Sequence, residues 1–214
     1  MIASRLYHLI LVILCAFSTV IYEYNLKDRK EPQGALGVRL DYEFANSWPN
    51  EISVKDKITR RNLVWSSHLK FSEPVSKLSV GQLWQIEIDA FREMDPGMEQ
   101  YGIAKNKNNK PEGMTVLAFD HEIILSSTQK GANSYAYEFV DTPVLKTFQE
   151  CKVGDLTHKN GGGCGEIMSA QMYFTKYPDR HLSTRKARVG IVLWDRKTDV
   201  LTRTEPCGTD RSLS

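Results

Sequence analysis

Hydrophobic and polar positions alternate with period two over much of this chain, the mark of strands with one face buried. Val38, Leu40, Tyr42 and Phe44 alternate with Arg39, Asp41 and Glu43. Trp84, Ile86, Ile88 and Ala90 alternate with Gln85, Glu87 and Asp89, and Trp65, Leu69 and Phe71 share one parity. Thr115–Phe119 and Ile123–Ser126 flank Asp120-His121-Glu122, which has the composition of a hairpin turn. Tyr135, Tyr137 and Phe139 form a further alternating set. Glu166–Tyr173 and Arg188–Trp194 are apolar runs that continue the strand pattern, the second turning at Asp195–Asp199 into Val200–Thr204.

Helix is scarce in this pattern. One is predicted from Ser53 to Asn62, with Ser53 as cap, Asp56 in the first turn, and Val54, Ile58 and Leu63 roughly on one face. Pro143–Glu150 fits a strand or a helical turn equally well. Glu93–Gly113, Gly154–Gly165 and Tyr177–Lys186 read as loops, each carrying Pro or Gly among charges. The expectation is an α+β fold: one N-terminal helix packed on an antiparallel β-sheet, β-rich overall, with an added C-terminal β-hairpin segment.

The start of the chain changes the picture of where this domain works. Met1–Ser18 has one early cation (Arg5), an apolar run from Leu9 to Phe17 and small residues at Ala16 and Ser18. That is the layout of a secretory signal peptide, and a run of about nine residues is too short to span a bilayer. Residues 1–18 are therefore expected to be a signal peptide, 19–34 a flexible N-terminal segment, 35–207 a single domain and 208–214 a disordered tail. The rival expectation is an uncleaved anchor, since Val20 and Ile21 prolong the apolar stretch. A chain released this way is expected outside the cell and away from the membrane. Loss of Arg5 takes the formal charge from +2 to +1, so bulk charge does not mark a strong polyanion binder.

Cysteine usage fits export. Cys15 leaves with the leader, and Cys151, Cys164 and Cys207 remain. An odd number leaves one thiol outside an intramolecular bridge. A strand ending at Cys151 and another beginning at Cys164 would bring those two to one end of the sheet, which favours Cys151–Cys164 over either bridge to Cys207. No CxxC or HExxH spacing occurs, and the histidines stand singly, so neither metal nor cofactor is expected. Gly161-Gly162-Gly163-Cys164-Gly165 is expected to lack both the lysine and the following helix of a phosphate loop, and no Gly-x-Ser-x-Gly is present.

Within Lys110–Cys151, Val116-Leu117-Ala118-Phe119 precedes a polar turn at Asp120, a return strand Ile123–Thr128, Gly131-Ala132 and Phe148-Gln149-Glu150-Cys151. Upstream stands Phe71-Ser72-Glu73-Pro74-Val75. This order resembles the C-terminal half of the secreted guanyl-specific fungal ribonucleases and covers about half the mature chain. Degenerate proteins of that fold are secreted as candidate effectors by powdery-mildew-type plant pathogens. The resemblance implies a helix preceding the sheet and a glutamate at Glu73. It also implies a catalytic arginine before the first strand, where Gly113-Met114-Thr115 stands, and a catalytic histidine on the return strand, where Ser126-Ser127 stands. Cyclising cleavage of a phosphodiester needs a base, an acid and a cation at the phosphorane. With two of the three absent at matching positions, the resemblance implies a scaffold without the activity.

His68, Glu73 and Glu87 are the remaining catalytic candidates. His68 is a general base if Glu73 or Glu87 lies across the sheet from it. Glu87 and Asp89 would project from one face of a Trp84–Ala90 strand. Among the basic clusters (Arg60-Arg61, Lys105/Lys107/Lys110 and the one around residue 185), Arg180, Arg185, Lys186 and Arg188 are the most concentrated. With Tyr173, Phe174 and Tyr177 they suit a surface for RNA or a host protein. The sequence thus supports a secreted, non-enzymatic effector that binds a host protein or RNA through exposed loops. Its alternatives are an active secreted ribonuclease with a rearranged set, and a secreted structural or surface protein without a defined ligand.

Overall fold

Every residue of Gly113–Phe119 is buried, which requires a central strand covered on both faces. A computed structural model of the chain describes residues 24–47, 51–53, 58–131, 142–146 and 162–204. It is an α+β fold built on a six-stranded antiparallel sheet. The strands are β1 (Arg39–Leu40), β4 (Trp65–Lys70), β5 (Gly113–Phe119), β6 (Glu122–Ser127), β7 (Arg188–Asp195) and β8 (Val200–Thr204). Their order is β1-β4-β6-β5-β7-β8. The helices are α1 (Tyr42–Ser47), α2 (Val80–Gln100) and α3 (Gly165–Lys176).

The expected hairpins form. β5 and β6 pair through Phe119↔Glu122, with Asp120 at a φ of 47° in the turn. β7 and β8 pair through Asp195↔Val200, with Asp199 at 56°. Aspartate tolerates that left-handed backbone better than most residues. The second hairpin is not an added layer, however. β7 pairs directly with central β5, Leu117 opposite Val189.

Three other expectations are corrected. The helix predicted over Ser53–Asn62 is absent: β2 (Glu51–Ser53) and β3 (Ile58–Arg60) form a separate antiparallel pair. β-branched Ile52, Ile58 and Thr59 favour that choice. Of the strand expected from Val38 to Phe44, only Arg39–Leu40 remains, and Tyr42 begins α1. The strand expected at Trp84–Ala90 lies inside α2. Ser79 caps this helix in a reciprocal box: its Oγ accepts from the Gln82 N–H at 3.2 Å, and its own N–H donates to Gln82 Oε1 at 2.8 Å. Leu83, Glu87, Ala90, Phe91, Met94 and Met98 then fall on one buried stripe. The helix runs through Asp95-Pro96-Gly97, within the Glu93–Gly113 segment expected to be a loop. Gly97 lies so close to the Trp65 ring that a Cβ there would come within 2.5 Å of it.

A fourth correction concerns Glu166–Tyr173, which forms α3 rather than a strand. Cys164, expected to start that strand, is the buried N-cap residue. Cys151, its expected bridge partner, lies outside the described residues, as do Cys207, the expected leader 1–18, the expected tail 208–214 and Tyr135–Phe139. The turn at 143–146 is helical.

Alternation along the strands sends opposite parities to the two helices. Trp65, Met114, Val116, Ala118, Ile123 and Leu125 join the core beneath α2. Leu117, Phe119 and Ile124 pack with Tyr173 of α3. Phe119 and Tyr173 meet edge to face at 5.0 Å. Each such buried side chain contributes about 1.5–3 kcal/mol relative to exposure. Residues 24–38, in part expected to be flexible, lie against the end of α2. Leu26 is buried, and the Asn25 N–H donates to the Tyr101 carbonyl at 2.8 Å. Glu93 accepts the Leu36 N–H at 2.8 Å and the Val38 N–H at 3.3 Å.

Candidate functional site

The polar side chains best placed for chemistry gather where β4 and β6 meet the C-terminus of α3. His68 lies opposite Ile124 in the ladder, and Glu122 opposite Lys70. Both side chains therefore share the α3 face, and α3 delivers Lys176 and Tyr177 to them. His68 Nε2 is 2.5 Å from Glu122 Oε2, and His68 Nδ1 is 2.6 Å from Lys176 Nζ. The Tyr177 hydroxyl lies 2.6 and 2.9 Å from the two Glu122 oxygens.

Chemistry fixes the proton positions. An ammonium only donates, so Nδ1 accepts and the ring proton sits on Nε2, donated to Glu122. Burial and the Lys176 charge hold His68 below its ordinary pKa, more strongly than Glu122 raises it. Burial pushes Glu122 up, but the hydrogen bonds from Tyr177 and His68 outweigh it and leave the carboxylate below its usual range. Burial and the Glu122 hydrogen bond push Tyr177 up to about 12. The cluster is a neutral imidazole and a neutral phenol locked onto one carboxylate. Its histidine has no lone pair left for a substrate proton.

The carboxylates expected beside His68 are elsewhere. Glu73 is exposed and pairs with Lys77 one turn on. Glu87 is fully buried on α2, across the sheet from His68, and both its carboxyl oxygens are without a hydrogen-bond partner. Burial pushes it up to about 8, with partial relief from Arg203. Its expected companion Asp89 faces solvent and accepts from Gln85 at 2.9 Å. Two residues apart on a helix diverge, whereas on a strand they align. Sequence reasoning missed Glu122 and Lys176 as members of this cluster, and gave Tyr177 only to the expected stacking surface. Glu122 was visible only as a turn residue, and Lys176 carried no signal before α3 was known.

Three of the four predicted cationic residues come together around the β5–β6 turn. Arg185, Lys186 and Arg188 line a cleft of about 590 Å³ with Asp120 and His121. Arg185 Nη1 donates to Asp120 Oδ2 at 2.6 Å. Arg188 donates to the carbonyls of Leu78, at 2.8 Å, and Val75. Lys186 is exposed, with a left-handed φ of 48°. Arg180 stacks on Tyr177, 5.0 Å from the ring centre. Of the other basic residues, Lys110 is buried against Asp95 at 2.7 Å, between the rings of Phe91 and Trp194.

Among the described residues no group of three or more metal-ligating side chains is placed to hold an ion. No helix among them is long and apolar enough to cross a membrane. Comparison with family models, curated proteins and solved structures finds no match.

Proposed function

We propose that this chain is a secreted, non-enzymatic binding protein of the effector type, built on a ribonuclease-like scaffold. Its cationic end around Arg180, Arg185 and Lys186 contacts a host protein or RNA. One observation carries the reading. The positions where the resemblance implies a catalytic arginine and histidine, Met114–Thr115 and Ser126–Ser127, are fully buried. Gly165 of α3 sits directly against Thr115 and Ser126. A side chain at Thr115 or Ser126 reaches a substrate only if α3 moves away, and Met114 lies in the core beneath α2.

The rival reading is a ribonuclease with a rearranged set, and the contact between His68 and Glu122 is what favours it. Incubation of the purified 19–214 chain with single-stranded RNA between pH 5 and 8 separates the two. The expected outcome is intact RNA; cleavage that disappears in His68→Ala would establish the rival. On the binding side, Arg180→Glu combined with Lys186→Glu is expected to abolish capture of RNA or of the host partner. Retention by the doubly reversed protein would refute the assignment of the surface. Capture of neither by the wild type leaves the structural, ligand-free role.

A further inference from the structure

The cleft beside the β5–β6 turn combines an apolar floor with a polar rim. Val75, Ala118 and Phe119 form the floor and are all but buried. Ser76, His121, Arg185 and Lys186 stand around it. Its volume, about 590 Å³, lies within the range of small-molecule sites, roughly 300–1,000 Å³.

Charge decides what kind of molecule fits. Three cations line the cleft, and Asp120 is its one carboxylate. Asp120 is already engaged by Arg185. Arg188 is held by two neutral carbonyls, which take two of its five donors and leave its charge uncompensated. Lys186 makes no ion pair among the described residues, and its left-handed backbone is a conformation lysine rarely adopts. The surplus is two positive charges. A phosphomonoester carries about −1.5 to −2 at neutral pH and several strong acceptor oxygens, whereas a carboxylate carries one charge. The hydrogen bond between His121 Nδ1 and the Ser72 carbonyl, at 3.1 Å, fixes the ring and puts its proton on Nδ1.

We infer that this cleft binds a small phosphomonoester with an apolar or aromatic body, the phosphate held at Lys186 and Arg185 and the body lying over Val75 and Phe119. The inference deepens the binding reading above and rests on it.

Titration of the 19–214 chain, followed by amide chemical shifts, tests it with three probes: phenyl phosphate, inorganic phosphate and benzoate. Phenyl phosphate is expected to bind tightest and to move the amides of Phe119–His121 and Lys186. Lys186→Asn removes the charge while keeping a residue that tolerates left-handed backbone. It is expected to weaken phenyl phosphate about tenfold and to leave the spectrum of the remaining fold unchanged. Benzoate binding as tightly as phenyl phosphate would overturn the charge argument. An affinity unchanged by Lys186→Asn, or no shifts near the turn at millimolar probe, would overturn the site. If those failures occur while RNA or host-protein capture persists, only this inference falls. If capture fails as well, the binding reading falls with it.

Discussion

Each face of the sheet holds one glutamate beneath a helix, and the two are treated in opposite ways. Glu87, under α2, is fully buried with no partner for either oxygen, and its carboxyl is pushed up to about 8. Glu122, under α3, is only partly covered, takes hydrogen bonds from Tyr177 and His68, and ends below its ordinary range. Burial pushes both upward. What separates them is the supply of donors: α3 ends in a lysine and a tyrosine, whereas the stripe of α2 around Glu87 is apolar. A buried carboxyl without donors stays protonated, and one with donors stays charged.

That contrast gives the two faces opposite pH signatures, and the largest expected effect tests it. Glu87 is favoured neutral in the fold, so the native state binds its proton more tightly than the unfolded chain does. Stability then falls as pH rises from the ordinary carboxylate value toward about 8, and is flat above. The loss is on the order of 4 kcal/mol. Urea unfolding between pH 5 and 9 should show this slope, and Glu87→Leu should remove it and leave the protein more stable at pH 8. A variant that keeps the wild-type slope would mean that Glu87 ionises freely in the fold.

Next in size is Gly190, which lies against Glu87. A Cβ there would come within 2.3 Å of Glu87 Oε1 and 3.2 Å of Val116 Cγ1. Gly190→Ala is expected to cost about 2 kcal/mol. In a Glu87→Ala background the same change should cost clearly less, because the clashing atoms are gone. Additive losses in a denaturant double-mutant cycle would show that the crowding lies elsewhere.

The smallest effect belongs to the α3 face. Glu122 is favoured charged, so its contribution is present above the ordinary carboxylate pKa and disappears as pH falls through its lowered value. Glu122→Gln should be about 1 kcal/mol less stable than wild type at pH 6. The gap should close in acid, once the pH has fallen through that lowered value and the wild-type carboxylate is protonated. An equal gap at both pH values would show that packing, not charge, holds Tyr177 and His68 in place.

Local pattern settled part of this molecule. Alternation on both sides of Asp120-His121-Glu122 and of Asp195–Asp199 specified two hairpins, because register and turn chemistry act over a few residues. The cluster of Arg180, Arg185, Lys186 and Arg188 was legible because most of it sits within one short loop. Trp84, Ile86, Ile88 and Ala90 misled for an equally physical reason. Ile86 and Ile88 pack against the core from the flanks of a broad helical stripe, and a broad stripe also contains a period of two. Ser79 and Gln82 held the correcting signal, since a capping box belongs to a helix. Glu166–Tyr173 had no such marker.

By itself, then, the sequence determined the hairpins, the α+β character and the position of the cationic loop, all consequences of interactions between near neighbours. Tertiary structure alone decided that α2 and α3 cover opposite faces. It also joined His68 to Glu122, 54 positions away, and to Lys176, 108 positions away. Contacts across such distances follow from which surfaces bury each other, and the order of residues along a strand or helix does not encode its partner.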